Sequence, residues 1–479
     1  MPRKLRAKAI AEMDPQQKKS RKLRRKPRNI ALEFPERQQS KKWLETHVWH
    51  AKRFKMIDIW GYRLPLQSNQ KAIKFCYRSA QKYCLFSDLS FMQCWEIHAS
   101  NILEVGKLFG ITSMLNGVLM NGHLTYNSSL ICPMESLWNE SKSMLWLWTH
   151  PSCNDQVQLA FKNIQESHSD FQFENITSQL NRFSLIGPLK QRILGNVLQN
   201  YPQLKPGDVL NLTVNDPRFL FPQKRISPED SSPFELGRSE SSSKLWNKAY
   251  RDNQVRISDA EMNKRRSKNP IPGSKLQPLS SDSSIDVILM ATTKSSICSS
   301  WDILIPQSRG MDFWLSFIFS GCKPAGLEEM NKNSFEGGVR TFPQDYPGTE
   351  AYQSWMQEWC RKEQELWSKK PPAKRCNYEK LGILNPFDSS IENIMGRLVK
   401  VESLKPCRLF MKKRNAERLA RIIQDDEIVG FVTTGEFCLS MGRSCGIGVC
   451  LSNINSSTPV LVRNIQSSDA FEATIEFME

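Results

Sequence analysis

The chain has 479 residues, which is enough for two or three domains with sizeable cores. Its 39% hydrophobic and 24% charged residues exclude a disordered or fibrous protein. The formal net charge is +17, and residues 1–55 alone carry 18 Lys/Arg against 5 Asp/Glu. We therefore expect a nearly neutral body with a cationic N-terminal arm, which suits nucleic acid, an anionic membrane or an acidic protein.

A membrane partner and a metal or disulfide framework are both disfavoured. The most apolar run, residues 311–321, is shorter than the roughly 18 residues of a spanning helix. The N-terminus lacks the apolar segment of a secretory signal. The 13 cysteines include no Cys-x-x-Cys pair. We predict no membrane contact, no metal, and reduced, half-buried thiols in the cytosol or nucleus.

Residues 1–39 are predicted to form a basic flexible arm, because they lack apolar periodicity and contain the run KKSRKLRRKPRN at 18–29. A solvated tail and a nuclear address are alternative uses of these charges, and both are compatible with nucleic-acid binding. The candidate RNA-binding residues of the arm are Arg21, Lys22, Arg24, Arg25, Lys26 and Arg28.

Residues 40–70 are predicted to form one helix and its exit. Ser40 can cap this helix, positions 43–59 contain no Gly or Pro, and Gly61 and Pro65 end it. Two aromatic stripes would run along it with cations beside them, which is more than one core-facing edge requires. The candidate RNA-binding residues here are Lys41, Lys42, Trp43, His47, Trp49, His50, Lys52, Arg53, Phe54, Trp60, Tyr62 and Arg63.

Cations interleaved with aromatic residues predict an RNA-docking helix. Lys and Arg neutralise phosphates, and each flat ring stacked on an unpaired base is expected to contribute about 1–3 kcal/mol. RNA is favoured over DNA because its loops expose unpaired bases. The alternative is a helix with one core-facing side and one basic, solvated side.

The rest of the chain predicts a mixed α/β body. Its elements include a strand at 144–150, a strand, turn and helix at 181–198, and an apolar helix at 311–319. The predicted parts are a first α/β part at 71–222, a Ser/Pro-rich linker or insertion at 223–285, a second α/β part at 286–385 and a β-rich C-terminal domain at 386–479.

No catalytic constellation can be assembled from the sequence. His47 and His50 lack a third metal ligand, so we assign them to an RNA-facing or packing surface. The run GRSCGIGVC favours a tight hairpin over an alternative in which backbone amides and Arg443 hold a phosphate. Asp302 and Asp345 are isolated from each other in sequence, which favours hydrogen bonding at turns or strand ends over paired-acid chemistry.

Four ordered blocks of the sequence resemble a known family. They are KKWLETHVWHAKRFKMIDIWGYRLP, SWDILIPQSRGMDFWLSFIFSGCKPAGLEE, TFPQDYP with KKPPAKRCNYEKLG, and GFVTTGEFCLSMGRSCGIGVC. From about residue 20 to its end, the chain resembles the large, Pop-one type protein subunit of ribonuclease P and RNase MRP.

This resemblance implies a non-catalytic RNA-binding scaffold without a cofactor, located in the nucleus and nucleolus. It implies support for 5′ leader removal from precursor tRNA and for precursor rRNA processing by a catalytic RNA. The implied partners are the catalytic RNAs, smaller protein subunits of the same particles and, indirectly, precursor tRNA. The implied fold is α+β, with a basic arm, a mixed α/β body similar to folate-dependent aminomethyltransferases and a β-rich C-terminal unit.

Two other functions stay open at this point. The fold resemblance makes a folate-dependent one-carbon transferase the main alternative, although no acidic folate-binding residue can be placed in the sequence. A basic adaptor that joins proteins without RNA is a weaker alternative.

Deletion of residues 18–29 tests the predicted role of the arm. Six Lys/Arg lie from Arg21 to Arg28. Affinity for RNA falls as salt rises, and each phosphate contacted on single-stranded RNA makes the slope of log affinity against log salt steeper by about 0.7. We expect the deletion to make this slope shallower by several units when RNA affinity is measured at a series of salt concentrations. An unchanged slope would contradict the prediction.

Overall fold

The computed structural model of the protein describes residues 38–478, apart from 70–72, 200–203, 230–241, 270, 272, 294, 296, 384, 413 and 455–457. Two β-sheets pack face to face at its centre, a small N-terminal sheet adjoins them, and a closed β-barrel follows towards the C-terminus. The predicted α+β class with a β-rich C-terminal unit is confirmed. Residues 1–37 of the predicted cationic arm, including its six candidate RNA-binding residues, lie outside the described residues.

The N-terminal half of the described chain alternates strands and helices. Its elements are β1 (Lys42–Trp43), α1 (His47–His50), β2 (Phe54–Ile59), β3 (Tyr62–Ser68), α2 (Ile73–Lys82), β4 (Leu85–Asp88), β5 (Gln93–His98), α3 (Ile102–Leu108), β6 (Leu119–Tyr126), β7 (Ser129–Asn139), β8 (Met144–Thr149), α4 (Asn154–Ser167), β9 (Gln172–Asn175), β10 (Leu180–Ile186), α5 (Lys190–Leu198) and β11 (Val209–Val214).

The C-terminal half begins with helices and ends in strands. Its elements are α6 (Lys248–Asp252), α7 (Asp259–Ser267), β12 (Ile285–Thr293), β13 (Ser299–Pro306), α8 (Gly310–Ser320), β14 (Lys323–Pro324), α9 (Leu327–Glu336), α10 (Glu350–Lys369), α11 (Ile391–Met395), β15 (Leu404–Met411), β16 (Arg421–Gln424), β17 (Glu427–Cys438), β18 (Arg443–Leu451), β19 (Val460–Arg463) and β20 (Ala470–Phe477). Short 3₁₀ helices lie at Glu140–Lys142, Pro151–Cys153, Thr177–Gln179, Pro217–Leu220, Lys244–Trp246, Pro372–Lys374 and Val401–Ser403.

The strands form four sheets. The small sheet has the order β1-β3-β2, the five-stranded sheet β6-β7-β8-β5-β9, the six-stranded sheet β11-β12-β13-β10-β4-β14, and the closed barrel β15-β18-β17-β16-β19-β20. Neighbouring strands are antiparallel except for the two short pairs β1–β3 and β14–β4. In the middle of the six-stranded sheet, Leu185 lies opposite both Phe86 and Trp301.

The two central sheets form a four-layered body with helices outside. Successive strand residues point to opposite faces of a sheet. In β13, Ile303 and Ile305 therefore pack with α5 and α8, whereas Leu304 packs with Trp146 and Trp148 of the five-stranded sheet. Helices α3 and α4 cover the outer face of the five-stranded sheet. All 13 cysteines are free thiols and 12 are buried, which is deeper than the half-buried state predicted.

The prediction of one helix for residues 40–70 is wrong. The segment forms β1, the single turn α1 and a β2–β3 hairpin. Trp60 and Gly61 join the two strands with φ of 53° and 78°, the left-handed pair that a two-residue hairpin turn requires. The β-branched residues Ile57 and Ile59 favour the extended conformation, and the glycine expected to stop a helix lies in the hairpin turn.

The predicted strand at 144–150, the strand, turn and helix at 181–198 and the apolar helix at 311–319 are confirmed by β8, by β10 with α5 and by α8. Their apolar runs are long enough for periodicity to distinguish strand from helix.

The Ser/Pro-rich segment at 223–285 is a packed insertion over much of its described length. Leu245 and Trp246 are buried, and the Trp246 ring stacks on Trp146 with centroids 3.9 Å apart. The Arg251 Nη2 lies 2.9 Å from a carboxylate oxygen of Glu96. Isolated apolar residues of this kind produce no periodic pattern in the sequence, because each one packs against a strand that is distant in sequence.

Replacement of Trp49 by Ala tests whether this ring serves packing. The Trp49 ring is 8% exposed and meets Trp314 edge-on at 5.4 Å, so we expect the variant to lower the free energy of unfolding by about 3–5 kcal/mol. Denaturant titration measures the change. The neighbouring Val48, which is 38% exposed, provides the control Val48→Ala with an expected change within about 0.5 kcal/mol. Unchanged stability with reduced RNA affinity would restore the docking role.

Candidate nucleic-acid interface

The aromatic residues of the N-terminal segment, residues 40–70, mostly face the protein interior. Trp49 and Phe54 belong to the core beside α8, and Tyr62 packs with Leu64 and Phe91. The Tyr62 hydroxyl also accepts a hydrogen bond of 3.1 Å from Gln93. These buried rings present no face to a base, so the expectation that they stack on RNA is not supported. Their physical role is to fasten the small sheet to the body.

The two histidines of α1 are packing residues. The His47 ring stacks on Trp43 at 3.8 Å, and the His50 ring lies 4.7 Å from Trp314. Burial lowers the pKa of His50 to about 3, because the uncharged ring is favoured away from water. His50 is therefore neutral at physiological pH. Of the two alternatives for this pair, the structure supports the packing surface.

The cations of the same segment remain on the surface. Lys42, Lys52 and Arg53 are exposed, and the Arg53 guanidinium lies 4.4 Å from the Trp49 ring centroid. Arg63 forms a 2.9 Å ion pair with Asp58, and Lys41 is half-buried. The structure thus separates the predicted docking surface into buried rings and exposed charges. The RNA-binding role of the exposed charges stays a prediction.

A second basic surface lies on α2 and was missed by the sequence analysis. Lys74, Arg78 and Lys82 are exposed and recur every four residues, so they form one stripe along the helix with about 6 Å between neighbours. None of the three has an ion-pair partner among the described residues. Phe75 and Tyr83 flank the stripe and are 46% and 39% exposed. We define Lys74, Arg78 and Lys82 as the α2 stripe.

The surroundings of the α2 stripe add positive charge. The Lys323 ammonium lies 6.0 Å from the Phe75 ring centroid. Burial lowers the pKa of Lys323, and the nearby Arg225 guanidinium lowers it further. A helical spacing of four between cations was the signal available in the sequence. The sequence alone does not show whether such cations are paired, because their acidic partners can lie far away in sequence.

Arg443 lies at the start of β18, where the predicted tight hairpin is confirmed by the β17–β18 pairing. The β18 backbone pairs with β15 on one side and β17 on the other, so its amides are used by the barrel. At the hairpin turn, the Leu439 and Ser440 amides donate to the Glu336 carboxylate at 2.9 and 2.8 Å. The phosphate-holding alternative is therefore not supported at the amides, and Arg443 instead covers the Phe410 ring at 4.3 Å.

The two isolated acids form structural hydrogen bonds. Asp302 accepts from the Arg182 Nε at 2.8 Å, and Arg182 also contacts Glu135 at 2.5 Å. Asp345 accepts from the hydroxyls of Thr433 and Thr434 at 2.6 and 2.8 Å. Both carboxylates thus accept hydrogen bonds from donors of the protein itself, but Asp302 lies in the middle of β13 and not at the expected turn or strand end.

Known families match the chain in three regions. "Ribonucleases P/MRP protein subunit POP1, N-terminal" matches residues 4–100, the "POPLD (NUC188) domain" matches 300–390, and the "POP1 C-terminal domain" matches 358–478. The chain belongs to the POP1 family. These regions include the N-terminal segment, the α2 stripe and the barrel.

Individual relatives of the POP1 family agree with this assignment. The human "Ribonucleases P/MRP protein subunit POP1" is 26% identical over 72% of this chain and 49% of its own length. The protein popl-1 of Caenorhabditis elegans is 26% identical over 77% of this chain and 54% of its own length. The pop1 protein of Schizosaccharomyces pombe is 24% identical over 92% and 75%. The chain thus spans about half the length of the human and nematode relatives.

A solved structure shares the fold. The glycine cleavage system aminomethyltransferase T of Bartonella henselae superposes with a TM-score of 0.53, 13% identity, and coverage of 91% of this chain and 97% of its own. At this identity the likeness concerns the fold alone, and it confirms the fold class predicted from the sequence. No helix among the described residues is long and apolar enough to cross a membrane.

Replacement of Lys74, Arg78 and Lys82 together by Ala tests the α2 stripe. If each cation contacts one phosphate, the slope of log RNA affinity against log salt is expected to become shallower by roughly 2 units in the variant. Lys248, Lys412 and Arg414 serve as the matched control, because each is exposed and ion-paired with Glu174, Glu472 and Asp469 respectively. The control triple removes the same net charge, so an equal loss of slope in both variants would show a general charge effect and contradict a localised contact surface.

Proposed function

We propose that this chain is an RNA-binding scaffold subunit of ribonuclease P and RNase MRP, and that the RNA of these particles supplies the catalysis. Membership of the POP1 family is the observation that carries the proposal, since relatives with that name are ribonuclease P/MRP protein subunits. Under this proposal, the chain supports 5′ leader removal from precursor tRNA and precursor rRNA processing.

The charge distribution supports the RNA-binding part of the proposal. The cations of the α2 stripe have no acidic partner among the described residues, and Lys42 and Lys52 are also exposed. Such unpaired cations release the counterions of an RNA backbone on binding, which favours association entropically. The arm at residues 1–39 adds further positive charge of the same kind.

The partners and location form a finer part of the same proposal. We propose direct contact with the RNAs of both particles and with smaller protein subunits, indirect contact with precursor tRNA, and residence in the nucleus and nucleolus. The shared aminomethyltransferase fold is not a basis for assigning that activity to this chain, because the two sequences are only 13% identical. We therefore do not adopt the folate-dependent transferase.

Purification of the tagged full chain from its own cells, followed by sequencing of the bound RNA, tests the proposal. We expect strong enrichment of the two particle RNAs, reduced in the triple Ala variant of the α2 stripe and retained in the Lys248, Lys412 and Arg414 control. We also expect the purified chain, without RNA, to leave precursor tRNA uncut. Nuclease treatment before purification should release the RNA.

Two results would overturn this proposal. Cleavage of precursor tRNA by the purified chain alone would contradict the scaffold role. Protein partners without any enriched RNA, insensitive to nuclease, would instead identify the basic adaptor.

A further inference from the structure

A cleft of about 1860 Å³ lies between the small N-terminal sheet, the five-stranded sheet, α9, α10 and the barrel. Its walls include Trp60 of the hairpin turn, His123 of β6, Phe335 of α9, Trp355 of α10 and Arg408 of β15. The cleft is larger than the 300–1,000 Å³ of typical small-molecule sites. The volume therefore suits a segment of a polymer better than a single metabolite.

One wall of the cleft is a continuous row of aromatic rings. Ring centroids are 4.3 Å apart between Trp60 and His150, 5.1 Å between His150 and Phe342, and 5.4 Å between Phe342 and Tyr346. Burial lowers the pKa of His150 to about 3, so its ring is uncharged at neutral pH. His150, Phe342 and Tyr346 are buried at 8% exposure each, and the contacts along the row are edge-on. They support the half-buried Trp60, which is the ring of this row available for stacking on a base.

Arg418 lines the same cleft and forms no ion pair with a carboxylate in the described part of the chain. Its guanidinium lies 4.5 Å from the Trp355 ring centroid and 5.8 Å from that of Trp359. Its Nη1 is buried and has no hydrogen-bond partner. Burial lowers the pKa of Arg418, although the charge of nearby Asp345 acts in the opposite direction. The site thus holds a guanidinium without a direct ion pair in the described chain, although the charges of Asp345 and Glu436 act on it.

Asp345 forms no ion pair with Arg418, and both of its oxygens accept hydrogen bonds from other groups. One oxygen accepts from the hydroxyls of Thr433 and Thr434, and the other accepts from the Thr341 amide at 2.8 Å. No carboxylate of the described residues forms an ion pair with Arg418. The four buried arginines of the described chain each pair with at least one carboxylate, namely Arg182, Arg218, Arg251 and Arg309, whereas Arg418 is half-buried.

The contrast with those four arginines indicates a ligand. A charge that is partly withdrawn from water without an ion-pair partner is unfavourable, and an anion at Arg418 would offset that cost. Arg340 is a second cation on the cleft wall without an ion-pair partner in the described chain, and its guanidinium lies 4.3 Å from the Tyr346 ring centroid. The Gln344 Oε1 is also buried, lines the cleft and lacks a donor.

A nucleotide has the three features that these groups require. Its phosphate is an anion for the guanidinium groups, its base is a flat ring for Trp60, and the base edge carries N–H donors for the Gln344 oxygen. We propose that the cleft binds an unstacked nucleotide of a single-stranded RNA segment, with Arg418 and Arg340 at the phosphates and Trp60 against the base. This inference rests on the proposed function, namely that the chain binds RNA.

The variant Arg418→Met tests the proposal in the full chain. Met keeps an unbranched stem against Trp355 and removes the charge-assisted hydrogen bonds, so we expect about 10-fold weaker binding of a single-stranded RNA dodecamer. Binding of a 12-base-pair RNA duplex should not change, because its bases are not available for stacking. The control Arg414→Met removes an exposed arginine of the same loop and should bind both RNAs as the unmodified chain does.

Photocrosslinking of the unmodified chain provides a second measurement that does not depend on the folding of a variant. A dodecamer with 4-thiouridine is expected to crosslink to peptides that contain Trp60, His150 or Tyr346. Uridine monophosphate should compete with the dodecamer for crosslinking in the unmodified chain but not in Arg418→Met. That result would support a nucleotide site and would show that a free nucleotide can also occupy it. An unchanged dodecamer affinity in Arg418→Met, or crosslinks entirely outside the cleft, would overturn the proposal.

Two further outcomes separate this inference from the proposed function. Displacement of the dodecamer by tetrahydrofolate would assign the cleft to a small cofactor and overturn a nucleotide site. If Arg418→Met has no effect while the triple Ala variant of the α2 stripe still weakens RNA binding, the cleft proposal fails and the RNA-binding function stands. If neither variant affects RNA binding and the purified chain retains no particle RNA, both fail.

Discussion

The body of this protein depends on a buried ionic contact between its two central sheets. Arg182 of β10 lies in the six-stranded sheet, and its Nη2 is 2.5 Å from Asp302 of β13 and 2.5 Å from Glu135 of β7, which belongs to the five-stranded sheet. The same guanidinium lies 5.3 Å from the ring centroid of Trp148. Loss of one partner from such a contact costs about 3–5 kcal/mol, because the remaining charges stay buried without compensation.

This contact also sets the position of the cleft. Glu135 and Trp148 line the cleft on the side of the five-stranded sheet. The Arg182 backbone holds the connection between β4 and β5, since its carbonyl accepts from the Leu89 amide at 2.8 Å and its amide donates to the Ser90 hydroxyl. The two central sheets therefore form one wall of the cleft, and the barrel and α10 close the opposite side.

Charge is divided into two classes by this architecture. Inside the body, arginines such as Arg218 and Arg251 meet carboxylates and stabilise contacts between segments. On the surface, the α2 stripe has no acidic partner among the described residues, and in the cleft Arg418 has none either. The unpaired cations are the groups left for an anionic partner, and composition alone does not distinguish them from the paired ones.

The sequence by itself determined the charge asymmetry, the α+β class and the elements with long apolar runs, such as β8, β10 and α8. In those elements local periodicity and burial favour the same conformation. Only the tertiary structure decided that residues 42–68 form β1, the single turn α1 and the β2–β3 hairpin instead of one helix. Trp49 and Phe54 gain more by burial beside Trp314, some 265 positions later, than from a local helix. Likewise, only the folded chain shows which cations lack a partner, because ion pairing depends on residues distant in sequence.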